Sequence, residues 1–555
     1  MKRRIAAMTL AMMMVLGASG CSSNTAKETQ SGGESPTETA GENQTPAAQG
    51  SEDGDESITA YVGTSIFDGS LDPVKGSMSY GYPFICDALL KVNPDSEYIG
   101  DLATDWKMSD DALTYTFTLR EGVKFSDGSD FTAEDVVFTY ETVMENQGAN
   151  ENVDLSRLES VKAVDDKTVE FKLKEPYSPF LDTAAMLQIV PSDAYDSEAF
   201  DKYPIGTGAY KMVQYDTNQQ MILEVNENYF GETPDIEKVT LVYMDSDAAF
   251  AAAQSGQLDI VMVGTAYAGE TLDGMTLQRF ETMDVRNISL PVNEEQTMTN
   301  QAGEEVTVGN NATCDKAVRE ALSIGIDRQA IIDNAFNGIG KPAVNFTDNL
   351  LWASTDDYED DRVDEAIQIL EDAGWKDSNG DGVREKDGVD CAFDVYALGG
   401  DQDRFQLGSA LAEDAAKLGI KITMKTSTWD EATKLENSNG IVWGWGQYSP
   451  TVLDSMYNSA RYLSGGYDDP SGLQNDAVDA KIEEAIGAKT QEEAIAAWKE
   501  VQKLADAEYA NLFLVNIEHA YFVNDNLDIS MDTQVPHPHG HGSPIVCNMA
   551  DWTLN

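Results

Sequence analysis

The chain has 555 residues, 41% of them apolar and 9% aromatic, an ordinary globular composition long enough for more than one packed core. Its charge is the outlier: 97 Asp and Glu against 37 Lys and Arg give a net charge of −60, a surface that repels phosphate backbones and excludes nucleic acid as a partner. Five cysteines without a CxxC spacing build no disulfide framework. Four histidines, all at or beyond position 519, exclude an HExxH zinc helix and leave little material for a Ser-His-Asp site.

In chain order, Lys2, Arg3 and Arg4 precede an apolar run from Ile5 to Gly17, and the small residues Ala18, Ser19 and Gly20 lead to Cys21. This is the charged head, short apolar segment and cleavage site of a secretory signal over residues 1–20, too short to span a bilayer with margin. Cys21 after Ala-Ser-Gly resembles a bacterial lipobox, in which the thiol is diacylated and anchors the mature chain to a membrane; the bland alternative is an ordinary cleaved signal. Residues 22–57 are Ser, Thr, Gly, Glu, Gln and Ala with almost no large apolar side chain. Such a segment buries nothing and reads as a tether with a mean reach on the order of 30–35 Å.

Beyond Ile58, short strands alternate with amphipathic helices. Thr114 to Leu119 alternates polar and apolar as a half-buried strand does, and Ser126-Asp127-Gly128-Ser129 is a turn. Thr132 then caps a helix with Asp135 at its third position. Ala366, Ile367, Leu370 and Ala373 fall at helical spacing, with Gly374 as the stop. A helix through Ala415, Ala416 and Leu418 leads to an alternating strand from Ile420 to Met424. These elements predict a mixed α/β protein with more than one lobe.

Several segments carry a resemblance. Leu102-Ala103-Thr104-Asp105-Trp106, the run Thr114 to Gly128, and Phe131-Thr132-Ala133-Glu134-Asp135-Val136-Val137-Phe138 closely resemble the signature region of family 5 bacterial extracellular solute-binding proteins, the peptide- and nickel-type receptors of ABC importers. Pro204 to Tyr210, Asn226 to Gly231, Ser255 to Ile260, Val318 to Leu322, Ile326-Asp327-Arg328 and Ala373-Gly374-Trp375 continue that family's series in order. The resemblance covers roughly residues 58–526. It implies a two-lobed α/β fold of the periplasmic-binding-protein type (type II, cluster C) that closes on a ligand at a hinge. The implied layout is a first lobe over 58–290 with an extra subdomain at about 91–200, a second lobe over 291–519, and a C-terminal return to the first lobe over 520–555.

The function it implies is capture of short peptides and delivery to a membrane permease, by a monomer lipid-anchored on the extracytoplasmic face, with no cofactor and no catalytic residues. A nickel or metal-chelate receptor of the same fold is the alternative. A secreted hydrolase built on carboxylates is the reading from another class, although no nucleophile elbow or P-loop is present. The stretch Trp443-Gly444-Trp445-Gly446-Gln447-Tyr448 matches the family's cleft-lining segment, and Gly-flanked indoles suit flat apolar ligand walls, with burial of Trp443 in a core as the competing reading. Where many peptide receptors place the Asp that holds the ligand's ammonium, this chain has Thr451, and Asp454 follows. Arg461 is the candidate for a ligand carboxylate, against the commoner fate of a surface arginine.

His537, His539 and His541 alternate in a Pro- and Gly-broken loop. One-sided alternation would let them converge on a borderline cation such as nickel, zinc or copper; a solvent loop or a structural plug are the blander readings. His519 reads as a partly buried structural histidine. Asp377 to Gly382 has the first half of an EF-hand loop, but Gly388 stands where the bidentate Glu belongs, so a polar turn is expected. The cysteines other than Cys21 read as reduced small core residues, or one pair at most.

Overall fold

The computed structural model describes residues 56–67, 70–76, 83–146, 150, 153–354, 359–539 and 545–555. The expected signal at 1–20, Cys21, the expected tether up to residue 55 and His541 lie outside them. Among the described residues no helix is long and apolar enough to cross a membrane.

Local chemistry sets the elements the sequence predicts. Strand Thr114–Leu119 buries Tyr115, Phe117 and Leu119 and turns the intervening threonines outward. Helix Ala133–Glu145 opens on a reciprocal cap in which Thr132 and Asp135 satisfy each other's end of the first turn. Helix Val363–Asp372 stops where Gly374 adopts φ +96°, open to glycine at no steric cost. Strand Lys421–Ser427 follows the helix Gln402–Ala415 through a left-handed Gly419.

Two large sheets organise the molecule. The first has seven strands in the order Met275–Phe280, His519–Asn524, Ile260–Val263, Ser57–Tyr61, Lys238–Val242, Gln220–Val225 and Tyr210–Asp216. The second has six: Lys341–Pro342, Asn511–Asn516, Val285–Ser289, Gly440–Trp445, Ala392–Leu398 and Lys421–Ser427. A separate antiparallel sheet of Ala103–Met108, Thr114–Leu119, Thr168–Leu173 and Leu158–Asp165 packs against helix Ala133–Glu145. Within the second sheet, Ala392–Leu398 runs parallel to both Lys421–Ser427 and Gly440–Trp445. Helix Gln402–Ala415 covers this parallel set with Leu407, Leu411 and Ala415, all fully buried. Each of the two leucines contributes about 1.5–3 kcal/mol of burial.

The chain crosses between the large sheets twice, from Phe280 to Val285 and back from Asn516 to His519. The first passage falls ahead of residue 290, so strand Val285–Ser289 is central to the second sheet. The crossings are tied together: Ile517 N–H donates to Asp284 O at 2.9 Å, and the Thr282 hydroxyl donates to Ile517 O. The tail joins them by an isolated bridge, where Met283 N–H donates to His537 O at 2.9 Å and His537 N–H to Glu281 O at 3.2 Å.

Elsewhere, Asp377 accepts the backbone N–H groups of Gly380 and Gly382, closing a polar turn ahead of a two-strand hairpin. Cys86, Cys314, Cys391 and Cys547 are free thiols, Cys86 and Cys391 buried.

Candidate functional site

The carboxyl ends of the three parallel strands of the second sheet point toward the crossings, because Val285, first residue after one crossing, pairs with Trp445 at a strand end. Crevices at such strand ends are where open α/β sheets bind ligands, since the loops there diverge and leave space. Three side chains arrive with those loops: Arg404 from the first turn after Ala392–Leu398, Trp429 from the helix after Lys421–Ser427, and Trp445 itself.

Aromatic rings build one wall. Trp429 and Trp443 stack at 16° with centroids 6.2 Å apart, and Tyr467 meets both edge-on at 5.4 and 5.5 Å. Trp445 adjoins Trp443 at 6.3 Å and meets Phe346 edge-on at 6.2 Å. Of the two predicted wall residues, Trp443 is buried in a small core with Ala432 and Ile441, while Trp445 is half-buried; the exposed rings are Trp429 and Tyr467, each 42% accessible. The exposed ring faces thus belong to Trp429 and Tyr467, not to the two tryptophans expected from the sequence. Neither Trp429 nor Tyr467 carries a local signal, because both gain their place from neighbours across strand loops.

Charged groups gather around Gly444 of the same strand. Gly444 lets them approach: a Cβ there would lie 2.6 Å from His539 Cε1 and 2.8 Å from both Arg286 Nη1 and Arg404 Nη2. Gly446 is tighter, with the His539 backbone N 2.6 Å from its would-be Cβ, and its carbonyl accepts His539 N–H at 3.1 Å. Asp284, buried at the crossing, accepts from His539 Nδ1 at 2.7 Å and pairs with Arg286; His519 Nε2 lies 3.7 Å from its other oxygen. Burial alone would raise the Asp284 carboxyl, but Arg286 and His539 outweigh it and hold it well below the usual range.

The two described loop histidines take different partners. His537 is fully buried, stacked on Phe280 at 4.6 Å with its Nδ1 3.2 Å from His519 Nδ1 and its Nε2 3.2 Å from Gln534. Burial, then the neighbouring His519, push it well below its ordinary pKa. His537 thus plugs the crossing and His539 faces Asp284, in place of the one-sided array the alternation suggests. Among the described residues no group of three or more His, Cys, Asp or Glu side chains is arranged to hold a metal ion.

Tyr448, Asp454 and Arg461 lie beyond Trp445. The Tyr448 hydroxyl donates to Pro536 O at 2.7 Å and its carbonyl accepts Trp352 Nε1, so this ring braces the tail. Asp454 and Arg461 sit together on a polar cavity of about 390 Å³, where Arg461 donates from Nε to Asp454 at 2.9 Å and from Nη1 to Asp468 at 3.2 Å. The opposing wall carries Asp154, Arg157 and Asp182. Asp182, on helix Phe180–Met186, is buried, and burial raises its carboxyl to about 7 although Ser449 and Tyr98 bond to it. It is a residue that sequence reasoning did not single out, since nothing in Pro179-Phe180-Leu181-Asp182 signals a cavity.

The model of bacterial extracellular solute-binding proteins, family 5 Middle, matches residues 97–467. The chain belongs to that family. Protein XP55 of Streptomyces lividans is 31% identical over 484 residues, covering 85% of both chains. The oligopeptide-binding protein AppA of Bacillus subtilis is 29% identical over 384 residues, 64% of this chain and 67% of that one. Among solved structures, NikA from Brucella suis in complex with Fe(III)-EDTA superposes with a TM-score of 0.74 at 22% identity, covering 90% of this chain and all of the other. The family 5 chain accordingly has the two-lobed periplasmic-binding architecture, with its lobes joined at the paired crossings.

Proposed function

We propose that this protein is the capture subunit of an ABC importer, enclosing short peptides between its two halves and passing them unchanged to a membrane permease. The observation that carries this reading is the 390 Å³ cavity, whose walls come from both sides of the molecule and carry both signs of charge: Asp154, Arg157 and Asp182 on one, Asp454 and Arg461 on the other. A zwitterionic ligand with polar groups along its length suits such a cavity, with the aromatic corner available to side chains. Within it, Asp454 and Arg461 are ligand-facing as a pair; outside its lining, Trp445 walls the neighbouring apolar corner, and Tyr448 with Trp443 supports that wall. Thermal-shift screening of the purified protein against di- to pentapeptides is expected to give saturable stabilisation; no shift with any of them would overturn the peptide assignment.

A metal-chelate ligand is the second reading, favoured by His539 at the junction of the lobes and by the likeness to a fold neighbour holding an iron chelate. Metal analysis of the protein as isolated, repeated on His539→Ala, separates the two: a stoichiometric metal lost in the variant supports the chelate. The mature protein acts as a monomer held on the extracytoplasmic face by acylated Cys21. Metabolic palmitate labelling, present in the wild type and absent in Cys21→Ala, tests the anchor.

A further inference from the structure

We propose that Arg404 is the anion-reading residue of the cleft and that the ligand carries a carboxylate that docks on its guanidinium in the Trp429, Trp443 and Tyr467 corner. This rests on the receptor reading above and moves the carboxylate from Arg461 to a residue 57 positions earlier in the chain.

Arg404 is 7% exposed, yet its Nε and Nη1 have no hydrogen-bond acceptor among the described residues. Asp401 Oδ2 lies 3.2 Å from Nε without completing a hydrogen bond. The guanidinium lies over the Trp429 ring, 5.6 Å from its centroid. A buried cation with unmet donors is costly, and proteins retain one where something else supplies the acceptor.

The neighbours agree on the sign of what is missing. Trp443 Nε1 and Trp445 Nε1, in the ring cluster with Trp429, are also buried without acceptors among the described residues. Every unmet group on these three residues is an N–H donor, so the absent partner is rich in acceptors. The charges around Arg404 meet it only in part: Asp401 pairs with it from Oδ2 while its other oxygen caps the helix, Asp284 is engaged by Arg286 and His539, the Asp403 carboxyl lies near the Thr265 hydroxyl at 3.5 Å, and Nη1 keeps no acceptor among the described residues. Arg286 adds a second positive charge beside Arg404, its Nη1 meeting Arg404 Nη2 at the same point over Gly444. Arg461, by contrast, is already paired with Asp454 and Asp468. A planar carboxylate matches the fork of a guanidinium.

The test compares peptides as free acids with the same peptides amidated at the C-terminus, and benzoate with benzamide, by isothermal titration against the full chain and its Arg404→Gln and Arg404→Lys variants. Amidation is expected to weaken wild-type binding roughly 10- to 100-fold, the value of hydrogen bonds to a charged group. In Arg404→Gln, acid and amide are expected to bind alike, with Arg404→Lys intermediate. Peptides binding equally well as acid and amide would sink the carboxylate subsite and leave the peptide receptor standing. Benzoate binding that needs Arg404, with no peptide bound in either form, would keep the subsite and sink the peptide reading. Benzoate and acid peptides unaffected by either variant would overturn the assignment. Far-UV circular dichroism confirms that each variant folds; if Arg404→Gln does not, Trp429→Ala, at an exposed ring, carries the same comparison.

Discussion

Gly446 shows how much a single hydrogen can decide. Its would-be Cβ meets backbone, the His539 nitrogen at 2.6 Å, which cannot swing aside as a side-chain tip would. Gly446→Ala is therefore expected to cost about 1–3 kcal/mol of overpacking, read by denaturant unfolding, and to loosen the tail. His537 predicts a pH dependence. Its folded pKa is depressed, so the unfolded chain binds the extra proton first: stability is whole above the unfolded value of 6.5 and falls as pH drops below it toward the folded value. The slope is up to about 1.4 kcal/mol per pH unit from this group. Unfolding measured between neutral and mildly acid pH should flatten in His537→Gln; an unchanged slope would assign the effect elsewhere. Asp284 works in a lower window, since its carboxyl is depressed and its contribution is lost only as pH falls through the acid range.

At the scale of elements, the helix Gln402–Ala415 links stability to recognition. Asp401 caps it through the Arg404 N–H at 3.0 Å, and its carboxylate stands beside the Arg404 side chain. Asp401→Ala is expected to cost about 1 kcal/mol of stability as a lost cap, measured by chemical denaturation. Elements such as Ala133–Glu145 were legible in the sequence because Thr132, Asp135 and the apolar spacing act within a few residues of one another. The same is true of Thr114–Leu119, whose alternation is a local property. The aromatic corner was half legible: the Trp443 and Trp445 pair stood out, but Arg404, Trp429 and Tyr467 come to it from different strand-end loops. Their meeting depends on strand order and parallel register, which no short window contains. Asp454 and Arg461 could be named as charged candidates; that they neutralise each other required seeing the helix turn them together.

For the whole molecule, the two sides meet at a few points with chemical consequences. Ser178 N–H donates to Ile486 O at 2.8 Å, and Asp182 takes the Ser449 hydroxyl across the cavity. With its carboxyl raised to about 7, Asp182 is a neutral donor or acceptor below that pH and a buried charge above it. A raised folded pKa favours the assembled form at low pH, and that preference is lost progressively as pH rises from the ordinary carboxylate value of 3.8 to about 7. Ligand affinity is thus expected to decline as pH rises from mildly acid values toward 7 in the wild type, to flatten above 7, and to lose that slope in Asp182→Asn, measured by titration calorimetry across this range. Small-angle scattering supplies the companion measurement: a saturating ligand should contract the particle, and a profile indifferent to ligand would contradict lobe closure.

The bridge at His537 also imposes an order of events. Its bonds to Glu281 and Met283 join residues more than 250 positions apart, and the later partner lies close to the C-terminus. A chain that ends before it keeps both sheets and the Ile517 bonds to Asp284 and Thr282, but lacks the tail's bonds across the joint. The joint is therefore completed only once the residues around His537 have been made.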